Sequence, residues 1–170
     1  MEFTTPNQHD LAAFLKEVDG LFHVPLSARR DLDELAEKIH AHGHCLLACD
    51  GEKTIGGICW YDNDTATCQS YINVLAVLPQ YQGRSIARLL LEKSITMLPP
   101  YITSIKLWTQ NPIALRMYLK SGFIFENRDD DISSCIARGG YMVKLRESQI
   151  TDATRNSVTV PVSKQEHGKP

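Results

Sequence analysis

The chain has 170 residues and a mass of 19.1 kDa, enough for one domain with or without a tail and too little for two ordinary enzyme domains. Hydrophobic residues make up 43% and charged residues 22%, a balance that builds a globular core without covalent staples. Eighteen Lys and Arg against twenty Asp and Glu leave a net charge of -2, which excludes the strong electrostatic footprint of a nucleic-acid or anionic-membrane binder.

Met1-Thr5 reads as a short opening strand. Asn7 caps a helix to about Val18, with Leu11, Phe14, Leu15 and Val18 on one side, and Gly20 ends it. Leu21 to Arg30 is a loop. Asp31 followed by Glu34 resembles a capping box, and Leu32, Leu35, Ala36 and Ile39 mark the helical stripe behind it. His44-Ala48, the turn Asp50-Gly51 and Thr54-Tyr61 read as a hairpin. Asp62-Asn63-Asp64 reads as a second turn, and Cys68-Val77 is the longest strand candidate. A loop over 78–85 leads into a helix from about Ser85 to Met97, stopped by Pro99-Pro100. Thr103-Thr109 is a strand. Asn111 caps the next helix, with Pro112 at its first position and Gly122 just past its end. Phe123-Arg128 and Gly140-Leu145 read as strands with a solvated loop at Asp129-Asp131 between them. The apolar period fades from Ser148, so a domain over 1–147 and a flexible tail over 148–170 are expected. A meander followed by two strand-helix-strand crossovers predicts an α/β or α+β fold, a mixed sheet of about 6–7 strands flanked by about 4 helices.

Five cysteines, Cys45, Cys49, Cys59, Cys68 and Cys135, form no CxxC pair, and several sit in apolar runs. Reduced thiols are expected rather than a disulfide framework or a zinc site. His40, His42 and His44 alternate, but they fall where a helix ends, and histidines there complement the helix dipole. No metal site is expected. The first ten residues lack a basic segment followed by an apolar run, and no apolar stretch approaches the roughly 20 residues of a membrane span. A cytoplasmic protein without membrane or nucleic-acid partners is expected.

The strongest chemical signal is the passage from Val77 to Leu90, where a strand ends, a glycine-containing loop follows and a helix begins. A helix start leaves N–H groups without partners and carries partial positive charge. Gly83 admits close approach, so Gln82, Gly83, Arg84, Ser85, Ile86 and Ala87 can offer amides to a phosphate or pyrophosphate, with Arg84 and Arg88 adding charge. A Walker loop and a GxGxxG fingerprint are both absent. A second signal is the helix from Asn111, in which Ala114 and Tyr118 share a face.

Together these segments resemble the GNAT N-acetyltransferases, the superfamily that moves an acetyl group from acetyl-CoA to an amine. The family loop Q/R-x-x-G-x-G/A appears as Gln80-Tyr81-Gln82-Gly83-Arg84-Ser85, with Ser at the sixth position. A residue with positive φ would be strained there. The later pattern N-x-x-A-x-x-hydrophobic-Y-x-x-x-G-F is matched at Asn111, Ala114, Met117, Tyr118, Gly122 and Phe123. The segment from Pro25 to Lys38 also resembles bacterial members linked to sugar or polysaccharide metabolism.

The resemblance implies a GNAT-like fold and acetyl-CoA as cosubstrate. Its pantetheine arm would pair with Leu75, Ala76 and Val77, and its pyrophosphate would meet the amides from Gln82 to Ala87. Asn111 would approach the arm, and Tyr118 would sit near the sulfur as general acid. A backbone N–H near Val77 would hold the oxyanion formed when an amine attacks the thioester directly. The general base is left open. Tyr71 and Asn73 lie on the strand where many members carry a Glu, and Asp62, Asp64 and Glu126 are near in the sheet. The acceptor is expected to be a small-molecule amine or amino sugar, and a homodimer is left open. The alternative is a non-catalytic acetyl-CoA-binding sensor or scaffold.

Overall fold

The computed structural model describes residues 1–146, so the tail expected over 148–170 lies outside the described residues. The strands are β1 (Glu2–Thr4), β2 (His44–Asp50), β3 (Lys53–Asp64), β4 (Gln69–Val77), β5 (Ser104–Thr109), β6 (Ile124–Phe125) and β7 (Gly140–Leu145). The helices are α1 (Gln8–Val18), α2 (Leu32–His42), α3 (Ile86–Met97), α4 (Pro112–Lys120) and α5 (Ile132–Arg138). One mixed sheet runs in the order β1-β2-β3-β4-β5-β7-β6. Among the described residues, only the β4-β5 pair is parallel and every other neighbour is antiparallel.

The expected caps form. Asn7 accepts from the Asp10 N–H, Asp31 from those of Asp33 and Glu34, and Asn111 from those of Ile113 and Ala114. Each spares an orphan donor at its helix start, worth about 1 kcal/mol. Strand alternation then sorts the core into two layers. Ile58, Trp60, Ile105 and Leu107 pack with Leu90, Leu91 and Leu115 of α3 and α4. On the other face, Leu47, Cys59 and Val74 pack with Phe14, Leu15, Leu35 and Ile39 of α1 and α2.

Three local expectations change. Strand β3 runs on to Asp64, and the turn follows it, because the Asp64 carboxylate accepts from Ala66 N, Thr67 N and Thr67 Oγ1. Those bonds hold the Asp64 carboxyl below its ordinary pKa. Strand β6 is only two residues long. The three aspartates after it stay irregular, as expected, but lead into a short helix, α5, because Asp131 and Ser134 cap each other reciprocally with Ser in place of the usual Glu or Gln.

His40 and His42 lie on the last turn of α2, whereas His44 stacks on Trp60 and bonds Asp62 through Nε2 at 3.0 Å. All five cysteines are free thiols, with Cys45 and Cys59 buried side by side. Among the described residues, no helix is long and apolar enough to cross a membrane.

Candidate active site

Strands β4 and β5 part company. They pair only over Gln69–Ile72 against Ser104–Leu107, and Val74–Val77 continues along β3 alone. A bulge sits where they separate: Cys59 pairs with Val74 and Trp60 with Ile72, leaving Asn73 without a partner. A bulge bends its strand and increases its twist, which carries the end of β4 away from β5. It also resets the alternation, so Ile72 faces the α3 layer while Val74 faces the α1-α2 layer. Nothing in the sequence marks Asn73 as the extra residue.

The backbone of β4 presents a free edge to this gap. Leu78 N–H donates to the Ile55 carbonyl at 2.9 Å, so Ile55 and Leu78 are a hydrogen-bonded pair. Bonded and non-bonded pairs alternate along an antiparallel ladder. Val77 opposite Gly56 and Leu75 opposite Ile58 therefore turn their N–H and C=O groups away from β3, into the gap. Ala76 lines the same wall, but its backbone groups face Gly57. The Val77 carbonyl is taken by Gln82 Nε2 at 3.0 Å, which leaves the Val77 N–H and both Leu75 groups on the open edge. The gap opens into a cleft of about 930 Å³.

At the end of β4, Pro79–Tyr81 forms a single 3-10 turn, and the Gln82 N–H donates back to the Pro79 carbonyl at 3.2 Å. Gln82 thus braces the loop through both its side chain and its backbone, and its amide is already engaged. Gly83 has φ +78°, and a Cβ on it would meet no atom within 4 Å. The space over Gly83 is open to a ligand. Ser85 has φ 60° and ψ 12°, the left-handed conformation, and its side chain does not cap α3. A non-glycine residue there costs roughly 1–2 kcal/mol. The first N–H groups of α3, at Ile86 and Ala87, therefore open the helix beside the cleft without a side-chain cap. Arg84 does not line the cleft; its guanidinium lies 5.3 Å from the Tyr81 ring centroid. Arg88 lines it while pairing with Glu92 at 3.2 Å.

The opposite wall comes from the end of β5 and from α4. Asn111 lines the cleft and uses Oδ1 as the cap of α4, which leaves its side-chain NH₂ as the remaining donor. Tyr118 is buried, packs against Phe123 with ring centroids 5.5 Å apart, and lines the cleft. Burial, reinforced by the nearby Tyr71 hydroxyl, pushes its pKa well above the ordinary tyrosine value. Tyr71 also lines the cleft, and burial raises its pKa too, with a contribution from Tyr141.

The three carboxylates near in the sheet are absent from the cleft. Asp62 is bound to His44, and its carbonyl accepts from the Tyr101 hydroxyl. Asp64 builds its turn, and Glu126 pairs with Lys106 at 2.6 Å. Sequence reasoning missed Arg29, Arg30 and Trp108, which line the cleft from the loop before α2 and the end of β5. The adjacent arginines ahead of a helix cap were the legible sign of the first two.

Residues 11–123 match the profile of the Acetyltransferase (GNAT) family. Among solved structures, the chain is similar to a GNAT-family acetyltransferase from Staphylococcus aureus Mu50, with a TM-score of 0.67, 19% identity and coverage of 85% of this chain and 98% of that one. It is similar to the PaiA N-acetyltransferase of Thermoplasma acidophilum in complex with coenzyme A, with a TM-score of 0.62, 17% identity and coverage of 86% and 100%. It is also similar to a spermidine N-acetyltransferase from Vibrio cholerae, with a TM-score of 0.63, 18% identity and coverage of 91% and 99%. No curated protein sequence matches.

Proposed function

The chain belongs to the GNAT acetyltransferase family, and on that premise we propose that it transfers the acetyl group of acetyl-CoA to a primary amine by direct attack in a ternary complex. The observation that carries this is the free edge of β4 at Leu75 and Val77, opening beside the uncapped start of α3. An extended amide-bearing arm can pair with that edge as an added strand. A pyrophosphate can meet the N–H groups of Gly83, Arg84, Ser85, Ile86 and Ala87, where the open space over Gly83 lets it approach. Asn111 adds a side-chain donor from the facing wall.

Acetyl-CoA supplies an activated acyl group on a thiol leaving group. The chain's own contribution is to position, polarise and move protons. The Val77 N–H, unpartnered on the open edge, is placed to stabilise negative charge on a carbonyl oxygen beside it. Tyr118 keeps its proton at every ordinary pH because burial disfavours its phenolate. It therefore presents an O–H donor to the cleft, a weaker acid than free tyrosine, that can hydrogen-bond and protonate a departing thiolate. No cysteine among the described residues lines the cleft to carry the acetyl group covalently, which supports transfer in one step. Tyr71 is held protonated by its surroundings, so it can orient a water but not take the proton of an ammonium. No carboxylate among the described residues lines the cleft, so the amine enters neutral or loses its proton to water or to His23, which does line it.

Initial-velocity kinetics test the proposal. Thiol release measured against both acetyl-CoA and amine should give intersecting double-reciprocal lines. Parallel lines would contradict direct transfer, and release independent of any amine would contradict the acceptor step.

A further inference from the structure

We propose that the acceptor amine also carries a carboxylate or phosphate group, held by Arg29 above an aromatic floor of Tyr71, Trp108 and Tyr141; this rests on the acetyltransferase reading above. The floor follows from register. Tyr71 pairs with Lys106 across β4-β5, and Trp108 pairs with Tyr141 across β5-β7. Directly opposed residues share a face, and Lys106 and Trp108 are two apart on one strand. All four side chains therefore stand on one side of the sheet, at the point where β4 and β5 separate.

Trp108 is fixed in place. A Cβ on Gly139 would lie 2.0 Å from its ring, so only glycine admits the ring there. The guanidinium of Arg29 lies 5.8 Å from the Trp108 ring centroid, and both residues line the cleft. Lys106 is already satisfied by Glu126 and lies 4.4 Å from the Tyr141 ring centroid. Arg29 and Arg30 are exposed, and among the described residues no carboxylate lies in ion-pair range of either.

The charge of the cleft is one-sided. Arg29, Arg30, Arg88 and Lys120 line it, and no Asp or Glu among the described residues does. The whole chain carries more acidic than basic residues, so this is not the average surface. Arg88 belongs to the first turn of α3, beside the pyrophosphate-accepting amides, and is paired with Glu92. Arg29 stands at the aromatic end, where its planar fork fits a carboxylate or a phosphate in two parallel hydrogen bonds. A cleft of one sign concentrates ligands of the opposite sign and repels its own. A polyamine would enter against that field with nothing to pair its second charge.

The test uses the full chain, saturating acetyl-CoA, a free-thiol readout and matched amines. One pair is phenylalanine and phenylethylamine, the other glucosamine-6-phosphate and glucosamine, with spermidine as the polycation. The member of one pair that bears the anionic group should exceed its mate without that group by about ten-fold or more in kcat/KM. The pair that responds distinguishes carboxylate from phosphate. Arg29→Gln should erase that advantage through KM, with a much smaller effect on the mate that lacks the group and acetyl-CoA affinity retained by calorimetry. Mates without the anionic group equal to their partners in both pairs, spermidine as the best acceptor, or equal losses for both members of a pair in Arg29→Gln would overturn the inference. Acetyl-CoA binding with no turnover of any of these amines would overturn it alone. No acetyl-CoA binding in a folded sample would overturn the acetyltransferase reading with it.

Discussion

The Gln82 side-chain amide donates to the Val77 carbonyl at 3.0 Å, so the loop after β4 is bolted to the strand it leaves. The bond settles which β4 groups are free, because it occupies the Val77 carbonyl and leaves the Val77 N–H open. Gln82→Ala removes it while the backbone bond from Gln82 N–H to Pro79 survives. A hydrogen bond of this kind contributes about 0.5–1.5 kcal/mol net. Acetyl-CoA affinity should fall by about two- to ten-fold, with kcat at saturation nearly unchanged. Calorimetry and steady-state rates check both halves.

Gly83 combines positive φ with open space. Gly83→Val places a β-branched side chain into a left-handed conformation, at a cost of about 1–2 kcal/mol, and fills the space proposed for the pyrophosphate. Acetyl-CoA at about 100 times its dissociation constant should stabilise the parent chain by about 2.7 kcal/mol. The variant should melt somewhat lower and show no shift on adding acetyl-CoA. A full ligand-induced shift in Gly83→Val would mean that the loop does not bind pyrophosphate.

Ser85 occupies the same region of backbone space without glycine's freedom and without a side-chain hydrogen bond capping α3. Ser85→Gly should raise stability by up to about 1 kcal/mol and leave acetyl-CoA affinity intact or tighter. Chemical denaturation read alongside calorimetry separates the two. A large loss of affinity would instead assign the hydroxyl a direct contact.

Tyr118→Phe retains the ring packed on Phe123 and removes the hydroxyl proposed as proton donor. Turnover should fall toward the low end of the about 10²–10⁴-fold range of general-acid catalysis, with acetyl-CoA affinity unchanged. The same substitution has a signature in stability. The folded-state pKa of Tyr118 lies above the unfolded value of about 10, so the folded state holds the proton longer. Stability from this group is complete below that unfolded pKa and is lost as pH rises through and beyond it. Tyr118→Phe should therefore show a shallower alkaline loss of stability above about pH 10 than the parent chain.

The fold was legible because its helix starts are written in short-range code. Asn7, Asp31 and the Asn111-Pro112 pair each announce a cap, and the Gly51 turn announces a hairpin. The segment after Phe125 was not, because its cap uses Ser134 where the usual signal has Glu or Gln. In the site, the strand-loop-helix passage at Val77–Ile86 was visible as a run of residue types. The bulge at Asn73 was not, since an extra strand residue shows only in the register of its partner. Arg29 and Trp108 are 79 positions apart and meet only through the packing of the loop before α2 over the sheet. No local pattern records such a meeting.

Transfer of an acetyl group from acetyl-CoA to an amine is measured most directly by its stoichiometry. The purified chain, acetyl-CoA and the amine panel are incubated together, and free thiol and N-acetylated product are quantified by absorbance and mass spectrometry. Amine-dependent thiol release is expected, with one N-acetylated amine per thiol and the protein itself left unacetylated. Acetyl-CoA bound without any amine-dependent thiol release would contradict it, and would identify the cleft as that of a binding module.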